Sequence, residues 1–122
     1  MKRFISAVVF TVLLFPAAIT GHPPSDAEFE YKAEKKMLKI SIIHNVRSEK
    51  SHYINEIELK LNGKDIIRQK ASVQTDLKGQ RVVYVIPEIN EGDEVEVSAN
   101  CNVFGKKSFK HKIEAVKAVK EK

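Results

Sequence analysis

Apolar and polar residues alternate over short stretches through most of the chain, and turn signals separate the stretches. Leu38, Ile40, Ile42 and His44 share one parity, while Lys39, Ser41 and Ile43 take the other. That period of two marks a strand with one face turned inward. Ile57, Leu59 and Leu61 repeat it against Glu56, Glu58 and Lys60, and Asn62-Gly63 follows directly. Both residues tolerate positive φ, so the pair predicts a tight hairpin whose return strand begins at Ile66 and Ile67. Arg81 to Ile86 is β-branched and aromatic and stops at Pro87. Glu91-Gly92-Asp93 turns the chain into Val95, Val97, Ala99 and Cys101. After a break at Gly105, Phe109, His111 and Ile113 open a last strand, and Phe29 and Tyr31 supply a first. About seven short strands at even spacing predict an all-β, immunoglobulin-like β-sandwich. No internal repeat and no long helical pattern interrupts it; Val116 to Val119 adds a helical turn at most.

The ends read differently. Lys2 and Arg3 precede an apolar run from Phe4 to Phe15, followed by Pro16 and the small Ala17 and Ala18. A basic start, a short apolar core and a small-residue exit make a secretory signal peptide. The run is too short to cross a bilayer, which takes ~20 apolar residues. Residues 1–21 are therefore expected to be removed, leaving an exported protein, periplasmic or extracellular, with no stable membrane anchor. The domain then spans 22–116, and the lysines of 117–122 form a basic tail. The formal charge of +5 falls to +3 without Lys2 and Arg3. The remaining lysines are interleaved with glutamates rather than gathered in the stripe of a nucleic-acid binder, so nucleic acid is not an expected partner.

Chemistry concentrates on four residues. Cys101 is the single cysteine, so no disulfide forms within the chain, and an unpaired thiol is a liability in an oxidising compartment. It shares the inward parity of Val95, Val97 and Ala99, and His44 shares that of Leu38, Ile40 and Ile42, each at a strand end. The two are expected to meet at one edge of the sandwich. His52 matches Ile54 and Glu56 rather than Ile57 and Leu59, and must sit in the preceding loop to face the same place. Thiolate and imidazole are the donors that iron, copper and zinc select. Each residue also has a plainer reading: Cys101 as a small buried hydrophobe, His44 as a core-edge histidine, His52 as a loop histidine. His111, between Phe109 and Ile113 in parity, is expected to be a partly buried strand residue. His22 opens an extended His-Pro-Pro segment that cannot be helix interior. Cleavage after Gly21 would leave it as the first residue, with an α-amine and an imidazole suited to copper.

His44-Asn-Val, Ser51-His52-Tyr53-Ile54 leading into Ile57-Glu58-Leu59, and Cys101-Asn102 with Gly105 together resemble the iron-binding domain of superoxide reductases and desulfoferrodoxins. The resemblance runs from about Met37 to Gly105. It implies a mononuclear, non-haem iron with an axial cysteine at Cys101 and equatorial histidines at His44 and His52, with His22 in the place of the family's first histidine. It further implies superoxide reduction or electron transfer and a small redox partner protein. Three departures stand against the pattern. Phe104 replaces the last histidine, Thr20-Gly21 replaces a Glu-Lys pair and its lysine, and the spacing from His44 to His52 is wider. No second cysteine cluster is present for an additional iron centre.

Two functions of different class follow. One is an exported mononuclear iron protein, with zinc or copper as alternative metals; three histidines and one cysteine also suit a closed zinc site. The other is a non-catalytic binding or accessory module, for example sulfur-carrier-like, whose metal site is degenerate or structural. The catalytic residues stay unassigned. No nucleophile elbow, phosphate loop or dinucleotide fingerprint appears.

Overall fold

The computed structural model describes residues 21–114. The expected helical turn at Val116 to Val119, the basic tail and all of the signal segment except Gly21 lie outside the described residues. Seven strands form: β1 (Asp26–Lys32), β2 (Met37–Ile43), β3 (Ile54–Leu61), β4 (Lys64–Lys70), β5 (Gly79–Val85), β6 (Glu94–Cys101) and β7 (Lys106–Lys112). They make two antiparallel sheets, β1-β2-β5 and β4-β3-β6-β7. The expected β-sandwich is the observed fold.

The alternating pattern produces the core. Leu38, Ile40 and Ile42 of one sheet meet Ile54, Ile57 and Leu59, and Val95, Val97 and Ala99, of the other. The β3–β4 hairpin turns on Asn62 (φ 49°) and Gly63 (φ 83°), the positive pair that lets two strands reverse without splaying. One short element was not legible in the pattern: a single 3-10 turn at Ala33–Lys35. It ends on Lys36 at φ 51°. The Lys36 ammonium then donates to Ile89 O (2.7 Å) and Asn90 Oδ1 (3.0 Å), so this lysine tethers the β5–β6 connection.

Each lateral seam of the sandwich carries a pair that links the two sheets. Phe29 of β1 stacks on His111 of β7 at 4.6 Å between ring centroids. His111 is thus the partly buried strand residue expected of it. On the other side the Tyr84 hydroxyl of β5 donates to Gln69 Oε1 of β4 at 2.7 Å, and burial pushes this phenol up to about 12.

Chain crossings between the sheets matter most for function. Residues 44–53 pass from β2 to β3, and residues 71–78 pass from β4 to β5. Both crossings lie at the end of the sandwich where β1 begins and β6 finishes, beside the short β6–β7 loop.

Candidate metal centre

At that end the four expected donors come together. His22 lies on the segment entering β1, His44 one residue beyond β2, His52 two residues before β3, and Cys101 at the end of β6. One nitrogen from each of the three histidines lies within 4.8 Å of the others. Their rings pack pairwise, with centroids 4.8 Å apart for His22–His44, 5.1 Å for His22–His52 and 4.7 Å for His44–His52. Cys101, buried, joins through His52, whose Nε2 is 3.0 Å from its Sγ.

The parity of His52 has a local cause. An irregularity between Ile54 and Glu56 puts Asn55 out of register with β6, where Ile54 pairs with Cys101 and Glu56 with Asn100. This bulge lets Ile54 and Ile57 both face inward although they differ in parity. His52 therefore points with Ile54 toward the core end, and Ile54 lies directly opposite Cys101. Asn55 is held in place by Asn100, whose Nδ2 donates to its Oδ1 at 2.8 Å.

Asn102 fastens the same corner. Its Oδ1 accepts from the Tyr53 amide (2.8 Å) and its Nδ2 donates to Ser51 O (3.0 Å). Its own amide donates to Tyr53 O at 3.0 Å. The residues on both sides of His52 are thereby bonded to the residue after Cys101. Tyr53 serves here through its backbone.

His44 is fully buried, and both its ring nitrogens face oxygen: Nδ1 meets Gln74 Oε1 at 2.8 Å and Nε2 meets His22 O at 2.9 Å. A neutral imidazole has one N–H and can satisfy only one of them. His22 repeats the situation, with Nε2 at 2.8 Å from Asn45 O and Nδ1 at 3.1 Å from Pro23 O. Burial, reinforced by the neighbouring His44 and His22, holds the His52 imidazole below its ordinary range. Neutral imidazole is the form that binds a metal.

The spacings test the fit. With bonds of about 2.0–2.1 Å to nitrogen and about 2.3 Å to sulfur, a thiolate and an imidazole at right angles on one ion lie about 3.1 Å apart. The Cys101–His52 separation of 3.0 Å matches that. Two nitrogens on opposite sides of an ion lie about 4.2 Å apart, so the widest histidine spacing of 4.8 Å needs closure by several tenths of an ångström.

Phe104 takes no part: it is 60% exposed at the tip of the β6–β7 loop. A cleft of about 600 Å³ opens beside the cluster, lined by His22, Asn45, Val46, Arg47, Ser48, Ser51 and His52. Arg47 is the only charged side chain among these. Gln74 and Asn55 carried no signal in the sequence. Asn102 had one, its adjacency to Cys101.

No family model and no curated protein matches the sequence. Solved structures do. A superoxide reductase of the one-iron type from Giardia intestinalis superposes with a TM-score of 0.54 at 16% identity, covering 76% of this chain and 98% of that one. The superoxide reductase from Nanoarchaeum equitans is similar at a TM-score of 0.45 and 19% identity, covering 75% of this chain and 92% of its own. The Giardia likeness extends over nearly that whole protein and carries the fold: this chain has a superoxide-reductase-like sandwich. The histidine group at its end could hold a metal ion.

Proposed function

We propose that the chain is a mononuclear iron protein whose ligands are His22, His44, His52 and Cys101, and that it performs one-electron chemistry on a small anionic oxidant. The observation that carries this reading is the convergence of three imidazoles from separate segments, with the single thiol 3.0 Å from one of them. Bound iron would supply the redox step, with the Cys101 thiolate donating electron density to it. The chain's own contribution is positioning. Gln74, Asn102 and the Asn55 bulge hold the donors, while His22 and His52 form one wall of an open cleft.

Arg47 on the rim of that cleft is the cation that would draw in an anion, in the role that the resemblance gives to a lysine absent here. A closed zinc centre with the same four donors is the second reading, favoured by the donor count of four. The cleft reaching His22 and His52 supports an accessible site instead. Export to the periplasm or an extracellular space, and a small redox partner protein, belong to this proposal.

Metal analysis with absorption spectra of the purified protein is the test. Near-stoichiometric iron with a sulfur-to-iron band on oxidation, lost in Cys101→Ala, supports the reading. Zinc without such a band makes the centre structural. Absence of any bound metal after incubation with iron or zinc, with Cys101 titrating as a free thiol, leaves a non-catalytic binding module.

A further inference from the structure

Gln74 is 2% exposed, in the loop between β4 and β5, and every hydrogen-bonding atom of its side chain is used. Its Nε2 donates to His44 O at 2.8 Å and to Asp76 O at 2.9 Å. Two carbonyl acceptors on one side of the amide fix its orientation, because the reversed amide would set oxygen against oxygen twice. Oε1 is thereby turned to the imidazole of His44, 2.8 Å from Nδ1. Oε1 and His22 O can both only accept, and the single N–H of a neutral ring serves one of them. The Gln74 contact is the fully buried one and the costlier to leave unmade, so it takes the Nδ1 proton.

The loop that presents Gln74 is itself bonded to the crossing that bears the histidines. The Gln74 amide donates to Glu49 O at 3.0 Å, and the amides of His44 and Val46 donate to Lys78 O and Leu77 O, each at 2.8 Å. Asp76 accepts from the Lys78 amide at 2.8 Å, which closes the turn beneath it. Gln74 therefore sits on a braced support, and its distance to His44 is set by backbone pairing on both sides.

From this geometry we infer that Gln74 is a positioning residue for the metal centre, fixing His44 as the tautomer with Nδ1 protonated and Nε2 bare. This assignment rests on the metal-centre reading only for its purpose. The tautomer itself follows from the amide orientation together with the deeper burial of the Gln74 contact. Nε2 then faces His22 O at 2.9 Å without a proton between them, and its lone pair is the one a bound cation would take. Gln74 gives up no proton and touches no bound ion. It acts through His44, by holding the ring in the form and orientation in which a metal is bound and by raising the basicity of the ligating nitrogen.

The test uses the full chain in three forms: wild type, Gln74→Glu and Gln74→Leu. Glutamate keeps an acceptor for Nδ1–H but loses both donations that tie the loop; leucine loses all three bonds. Long-range proton–nitrogen spectra of the metal-free protein, at about pH 8.5 and so about two units above the ordinary imidazole value of ~6.5, report the His44 tautomer. Zinc competition titrations report affinity. Wild type and Gln74→Glu are expected to show Nδ1–H, and Gln74→Leu to shift to the Nε2–H form that can bond the His22 carbonyl. Zinc affinity should fall about 10- to 100-fold in Gln74→Leu, while Gln74→Glu stays near wild type although its melting temperature drops. A merely structural residue would weaken zinc binding in step with stability in both variants, and that result overturns the assignment. So does a wild-type His44 with its proton on Nε2, an outcome that can be read even if Gln74→Leu fails to fold. Wild-type protein with Nδ1–H intact that binds neither zinc nor iron supports the tautomer assignment and overturns the metal-centre reading, so the two fail separately.

Discussion

Single side chains decide whether four donors become one site. Cys101 and His44 were readable because each carries chemistry in its own name and lies on an inward parity at a strand end; His52, off that parity, was readable by its residue type alone. The residues that hold them were not, since an asparagine or glutamine in a loop looks the same whether it meets water or a buried backbone. Asn102 is the clearest case: its Oδ1 and Nδ2 bond Tyr53 and Ser51, on either side of His52. Asn102→Ala leaves a partly buried amide without its acceptor and is expected to cost about 1–3 kcal/mol. It should also lower zinc affinity about 10-fold or more as His52 drifts from Cys101. Chemical denaturation and zinc competition check the two effects independently. Asn102→Asp, which keeps the acceptor for Tyr53, should recover most of the stability.

Turns and crossings set where those side chains arrive. The strands were legible from their period, and the Asn62-Gly63 hairpin from its turn chemistry. The bulge at Asn55 was not, because a bulge is an exception to the period by which strands are recognised. Gly105 shows what a motif glycine does in physical terms. It stands at φ 95°, and a Cβ there would come within 2.9 Å of Pro23, against which the loop packs beside His22. Gly105→Ala is expected to cost about 1–3 kcal/mol from backbone strain and to displace the His22 segment. Loss of the His22–Asn45 bond, seen in the His22 ring signals, checks the second effect. The turn below Gln74 responds to acid. The Lys78 amide, aided by the Gly79 amide and the Arg81 charge, holds the Asp76 carboxyl below its ordinary 3.8. A carboxyl depressed in the folded state adds stability above its unfolded value and loses it as pH falls through the folded one. Wild type should therefore exceed Asp76→Asn in stability above about pH 3.8, and the gap should shrink below it. Denaturation midpoints across that range are the measurement.

At the scale of the molecule, the sandwich is the part that sequence and structure share most fully. Alternation places Leu38, Ile57 and Val97 inward whatever the ends of the sheets carry, which is why the fold was readable and the activity was not. The ends are built by crossings, and crossings have no period. One property of the centre reaches beyond its own chemistry. His22, His44, His52 and Cys101 lie far apart along the chain, from just before β1 to the end of β6. An ion held by all four would close loops in the unfolded chain and remove conformational freedom from it, much as a covalent bridge does. A ligand at 100 times its dissociation constant adds about 2.7 kcal/mol to folding, so the melting temperature should climb with zinc concentration in wild type and stay flat in Cys101→Ala. A chain with one cysteine would then possess a reversible staple, opened by a chelator as a disulfide is opened by a reductant.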